Sequence, residues 1–266
     1  MHAVLSDKSV LAGAKLKNTY EVECRDKQGR LKWVERIENM MTGEGLNELL
    51  NKLYKGSSYT AAHYVGLIDS VAAGTLGSNP VATTNGSTTV TVTHTSHGLA
   101  VGDSVKFAGA TAINGVTLNG IYTVVTVPNA NSYTVVAGQT ASGTSSGGGA
   151  SMTYNYLQKA DTAAKVNTTV NFPTTNGWQE MTSYDEANRQ TLTLGSVASQ
   201  SVNNSASKAV FTISATKTVA GAFVVTNNTK GGTSGIIMGE AFFSTARDVL
   251  DDDTLNVTVT LTAVTG

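Results

Sequence analysis

The residues best equipped for chemistry lie between 178 and 189, where Glu180, Asp185 and Glu186 sit close to Trp178. A pair of carboxylates, one protonated and one ionised, is what glycoside hydrolysis needs. Nothing in the spacing fixes a separation between these three or raises the pKa of one of them, so sugar cleavage is not assigned. His94 and His97 could pair on a metal, but no third ligand stands at a suitable distance in the chain, and both fit as turn or strand-end histidines. Asp248 and the run Asp251, Asp252 and Asp253 form the one dense acidic patch. Calcium is one reading, yet the run falls where a hairpin turn is needed and lacks a spaced-ligand loop with its glycine. The serines have no G-x-S-x-G elbow, and neither Gly231-Gly232 nor the glycines 147–149 carry the Lys-Ser/Thr ending of a phosphate loop. The chain reads as non-enzymatic, with no cofactor and no metal.

Those residues must be held by β-structure. Hydrophobic residues make up 40% of the 266-residue chain and charged residues 14%, against roughly 25% in ordinary soluble domains. Thr, Ser, Asn and Gly fill the difference, which suits sheets with neutral hydroxyls on their wet faces. A formal net charge of −1 gives no footprint for nucleic acid or anionic lipid. Cys24 is the single cysteine, which rules out an intrachain disulfide. The start of the chain has no basic-then-apolar pattern and no apolar run reaches the roughly 18 residues of a membrane span, so no signal peptide and no membrane association are expected.

Residues 1 to about 14 read as an arm that packs on something else. Leu16, Tyr20, Val22 and Cys24 share one parity, the pattern of a half-buried strand, and Asp26-Lys27-Gln28-Gly29 turns it into a return strand with Leu31, Trp33 and Ile37. A helix is predicted over about 42–55: Thr42 is its N-cap, and Leu46, Leu49, Leu50 and Leu53 form an apolar stripe that needs cover. Tyr64-Val65-Gly66-Leu67-Ile68 reads as a fully buried strand.

Charges almost vanish between Gly74 and Gly149, where short Thr/Val-rich segments recur around turn dipeptides such as Asn119-Gly120. Even spacing of four or five short strands predicts a small β-barrel, closed off by a flexible linker at Ser145-Ser146-Gly147-Gly148-Gly149. The expected organisation is a discontinuous domain of 1–76 and 154–266 interrupted by this module at 77–153. Further strands from Gln190 to Thr262 complete the fold class: mainly β, a jelly-roll-like β-sandwich with one N-terminal α-helix and an inserted small β-barrel.

The segments HGLAVGDSVKF, LNGIYTVVTV and NSYTVV of the insert resemble a small β module that recurs in tailed-phage structural proteins. The rest of the chain is similar to a family of tailed-bacteriophage virion proteins. The carrying segments are GLNELLNKLYKG (45–56), HYVGLID (63–69), GWQEMTSYDEANRQTL (177–192), SVNNSASKAVFTI (201–213), GAFVVTNNTKGGTSGII (221–237) and RDVLDDDTLNVTVTLT (247–262).

Members are labelled capsid decoration or tail-fibre proteins, and no catalytic motif comes with the resemblance. It implies a capsid decoration (cement) protein on the outer surface of the phage head, made in the host cytoplasm. The partners it implies are the major capsid protein and further copies of the chain itself, a trimer being one arrangement. The alternative is a tail-fibre or tail-tip protein that binds a host receptor or glycan, although no heptad or β-helix repeat of a fibre stalk is visible. Trp178, Tyr184 and Arg189 are the expected structural anchors or interface contacts, joined by Leu11 and Leu16 of the arm. Tyr122 and Tyr133 are the candidates for surface recognition of a glycan, with filling of the barrel as their other reading.

Overall fold

The computed structural model describes residues 14–53, 55, 62–70, 73–166 and 178–265. The chain passes back and forth between two antiparallel sheets. In the first, the strands run in the order Ser201–Asn203, Thr254–Thr265, Ala14–Arg25 and Leu31–Glu38, with Ala209–Thr212 also pairing with Thr254–Thr265. In the second the order is Glu180–Met181, Tyr64–Asp69, Lys217–Val225, Ile237–Val249 and Met40–Met41, and Gln190–Thr191 pairs with Tyr64–Asp69. One core lies between them. Tyr20, Val22, Cys24, Leu255, Val257 and Val259 come from the first sheet, and Val65, Leu67, Ala222, Val224, Ala241 and Phe243 from the second.

Alternation explains the first sheet. In Thr254–Thr265 the residues Leu255, Val257 and Val259 point inward, and Asn256 and Thr258 between them are half-buried on the opposite face. The second sheet is different, because its central strands are buried on both faces. Ile68, Ala220, Phe223, Val225, Ile237 and Phe242 form a second cluster on the far side, together with Leu157, Ala163 and Trp178. Gly66 makes room there: a Cβ at that position would lie 2.3 Å from the Phe223 ring.

The helix spans Gly43–Leu53, and Thr42 caps it by accepting the Gly45 amide at 3.0 Å. It meets the second sheet through Gly45, where an added Cβ would lie 2.5 Å from the Met238 carbonyl oxygen. Of the predicted leucine stripe only Leu49 packs on the core. At 100° per residue the stripe is centred about a quarter-turn from Gly45, so the close glycine contact directs the other leucines outward.

The segment expected as an insert has a separate core of Val90, Val92, Val105, Phe107, Leu118, Tyr133, Val135, Met152 and Tyr154. The expected closed barrel is not formed. One sheet contains Gly74–Thr75, Thr153–Leu157, Ser104–Ala108 and Gly120–Thr123, and the other Thr126–Asn129, Ser132–Val136, Thr89–Thr93, Val81–Thr83 and Ser145–Gly147. None of these strands exceeds five residues. The predicted Gly/Ser linker instead contributes an edge strand, Ser145–Gly147, paired with Val81–Thr83.

The insert is fastened to the sandwich. Lys106 Nζ donates to the Phe243 carbonyl at 2.9 Å, Asp103 accepts the Lys159 amide at 2.9 Å, and the Gly43 amide donates to the Lys159 carbonyl at 2.7 Å. Lys165 pairs with Asp161, which also accepts the Trp178 indole N–H at 3.1 Å. Beside this network Glu240 is fully buried, and neither of its carboxylate oxygens has a hydrogen-bond partner among the described residues. Burial first, then the charge of Asp161, hold its pKa well above the ordinary 4.5.

Unfolded, Glu240 ionises near pH 4.5; folded, it stays neutral to much higher pH. Its neutral form therefore stabilises the fold fully below that pH, and the contribution is lost as pH rises through the folded pKa. Glu240→Gln is expected to raise the melting temperature at neutral and alkaline pH, with a gain that shrinks toward about pH 5. Thermal melts of both proteins across that range check this, and parallel curves would show that Glu240 is ionised in the native state.

Candidate interaction surface

Arg189 and Glu180 form an ion pair with both side chains wholly buried. Arg189 Nε donates to Glu180 Oε1 at 2.9 Å and Nη2 to Oε2 at 2.6 Å, a two-pronged contact. Two further donors are used: Nη1 reaches the Asn227 carbonyl at 3.0 Å and Nη2 the Gly232 carbonyl at 2.9 Å. Glu180 Oε2 accepts the Gly231 amide at 2.9 Å. The guanidinium lies over the Phe223 ring, 5.4 Å from its centroid, and Trp178 packs on that ring at 5.2 Å. Lys230 donates to the carbonyls of Tyr184 and Glu186, each at 2.8 Å, and lies over the Tyr184 ring. Two loops, 182–189 and 227–235, are thereby clamped together at one end of the sandwich.

Trp178, Tyr184 and Arg189 are thus brought into one structure, but as anchors. All three are buried. Two of the three carboxylates that could have formed a hydrolytic pair are committed to the fold, and the third, Asp185, is exposed. Glu180 belongs to the clamp, and Glu186 accepts the amide and hydroxyl of Thr212. Tyr133, a candidate for glycan recognition, is wholly buried; its ring packs against His97 at 5.0 Å, because it is the inward residue of Ser132–Val136. Tyr122 is half-buried on Phe107, with its hydroxyl on the Asn119 carbonyl at 3.2 Å.

His97 accepts the Leu99 amide at Nδ1 and contacts the Asn129 carbonyl at Nε2, which leaves no lone pair for a metal. Burial, and then the neighbouring His97, lower the His94 pKa to about 4. Asp252 turns the chain at a φ of 67°, and buried Asp253 pairs with Lys32 and accepts the Leu250 amide at 2.7 Å. Among the described residues no group of three His, Cys, Asp or Glu is placed to hold a metal ion, and no helix is long and apolar enough to cross a membrane.

What the clamp presents is apolar. Directly after Arg189 the chain pairs with Tyr64–Asp69, and the Leu192 amide donates to the His63 carbonyl at 2.8 Å. Leu192 and Leu194 then line a groove of about 200 Å³ with Leu16, Met41, Leu49, Met238 and Leu261. No charged carboxylate, ammonium or guanidinium group lines it. Leu16 on its rim is 47% exposed, and beside it on the helix Leu46, Leu50 and Leu53 are 43%, 54% and 71% exposed. Leu16, one of the expected interface residues, is exposed at the rim of this groove, whereas Leu11 lies outside the described residues. Sequence reasoning missed Leu192 and Leu194, whose parity is that of an ordinary strand; only the fold shows that they meet the helix.

Comparison with known proteins yields no matching family model and no similar curated protein. Among solved structures, one match is Phage phi92 endosialidase, 17% identical with a TM-score of 0.26, over 94% of this chain and 32% of that one. The chain spans about a third of that protein's length, and a likeness this low carries no argument about activity.

Removing one partner of a buried, fully bonded ion pair leaves the other charge uncompensated, at about 3–5 kcal/mol. Arg189→Met should cost that much in urea unfolding, and Arg189→Met combined with Glu180→Met should recover part of it. A loss below about 1 kcal/mol for the single variant would show that the clamp is not a principal support.

Proposed function

We propose that this protein is a structural, non-enzymatic component of a tailed-phage virion, a decoration protein that binds the outer surface of the assembled head as a homo-oligomer. The observation that carries the proposal is the apolar end of the sandwich: an uncharged groove and a row of outward leucines on a clamped scaffold. Exposed apolar area of this kind, rimmed by polar residues, marks a contact surface. The similarity of six ordered segments to virion proteins supplies the partner, the major capsid protein.

The mechanism is additive. Each copy buries leucines against a surface that exists only once capsid subunits have assembled, so binding stabilises the shell by mass action. Neutral Thr and Ser faces add hydrogen bonds without the cost of stripping water from charges. The insert is held to the strand Ile237–Val249 by the Lys106 contact, so it rides on the scaffold as a fixed feature.

Purified protein should sediment with assembled heads of the phage that encodes it and not with unassembled capsid subunits. Leu194→Glu, at the groove rim, should weaken that binding at least about tenfold, since a buried unpaired carboxylate is costly. Equal binding to unassembled subunits, or full binding by the variant, would overturn the proposal.

A further inference from the structure

Glu240 is a buried acid that the fold does not use. It is wholly buried, and neither carboxylate oxygen meets a donor among the described residues. A carboxyl left in that state lowers stability, so the group that satisfies it has to come from elsewhere.

Its surroundings show where that group would enter. Glu240 stands directly opposite Met40 where Ile237–Val249 pairs with Met40–Met41, so the two side chains share one face of the second sheet. Phe242, two residues on, lies on the same face and packs in one cluster with Leu157. That face floors a cleft of about 350 Å³, bounded on its other side by Ser104–Ala108 and Gly120–Thr123. Burial grades the cleft. Leu157, Glu240 and Phe242 are at most 4% exposed, whereas Glu38 and Ile121 at the mouth are exposed.

The charge of the site has one sign. Glu38 and Glu240 are the only charged side chains that line the cleft. The charges that act on Glu240 from the elements packed around it are Asp103, Asp161 and Lys165, and Glu44 of the helix faces Asp161. The lysines nearby have other partners. Lys165 pairs with Asp161, Lys159 Nζ donates to the Val101 carbonyl at 3.3 Å, and Lys17 meets Glu38 at 3.5 Å on the surface.

We propose that this cleft binds a primary alkylammonium group, either a free amine or the side chain of a lysine on a partner protein. The ammonium head, with three donors and no acceptor, meets Glu240 at the floor. Its aliphatic stem lies on Met40, Leu157 and Phe242 and leaves past Ile121, since such stems pack on apolar surface while the head finds its charge. This site does not depend on the head being the protein's partner.

The pH dependence has a definite sign. In the free protein, burial and then the charge of Asp161 hold Glu240 neutral well above its ordinary range. Beside the ammonium it is ionised, so binding releases a proton. Affinity therefore rises with pH, by at most about tenfold per unit, until Glu240 ionises unaided or the amine loses its charge near about pH 10.

The test titrates n-butylammonium into the full chain and follows the methyl signals of Met40, Ile121 and Leu157 by NMR. Saturable shifts are expected, with a Kd at least about tenfold lower near pH 8 than near pH 6. Glu240→Gln should weaken binding at least about tenfold and abolish the pH dependence, while melting no lower than the parent at neutral pH, which shows that its fold is intact. 1-Butanol, with the same stem and no charge, should bind at least about tenfold more weakly than the amine. Tighter binding of a capped Gly-Lys-Gly peptide than of n-butylammonium would identify a partner's lysine as the source, and the reverse order a free amine. Absence of saturable shifts, equal binding of 1-butanol, or unchanged binding by Glu240→Gln would each overturn the inference.

Discussion

The structure depends on one constraint: the sheet built on Tyr64–Asp69, Lys217–Val225 and Ile237–Val249 is apolar on both faces, so it must be covered twice. The first cover is the amphipathic sheet that joins the two ends of the chain, Ala14–Arg25 against Thr254–Thr265. The second is assembled from Leu157, Ala163 and Trp178, which pack on the far-face residues Ile68, Ala220, Phe223 and Phe242 of the sheet. That arrangement explains why Gly66 is needed and why Phe223 carries both an indole and a guanidinium.

The ion pair of Arg189 and Glu180 follows from the same constraint. Loops that close the end of a doubly covered sheet have buried carbonyls, and these need donors. Arg189 supplies them to Asn227 and Gly232, while Glu180 balances its charge and takes the Gly231 amide. The clamp is costly to break, yet its chemistry is spent inside the fold. Function falls to the surface that it steadies.

How much of this the sequence revealed follows from the range of each interaction. Local patterns were legible: the parity of Leu255, Val257 and Val259, the uninterrupted run at Tyr64–Ile68, and the Thr42 cap all appear in the structure as read. Features set by packing across the chain were not. The leucine stripe has the spacing of a buried face, but Gly45 and its contact with Met238 turn the helix away from it. The even strand spacing between 74 and 157 suited a barrel, while the long-range pairing, which spacing does not encode, sorts these strands into two sheets. Tyr133 and Tyr122 look alike in sequence, and only the register buries one and half-exposes the other.

The measurement that bears most directly on the proposed role is the copy number of this protein relative to the major capsid protein in purified virions, by quantitative mass spectrometry. A decoration protein that uses its apolar end on a repeating shell predicts about one copy per one to a few capsid subunits. A ratio of a few per cent would contradict that role and point to the tail.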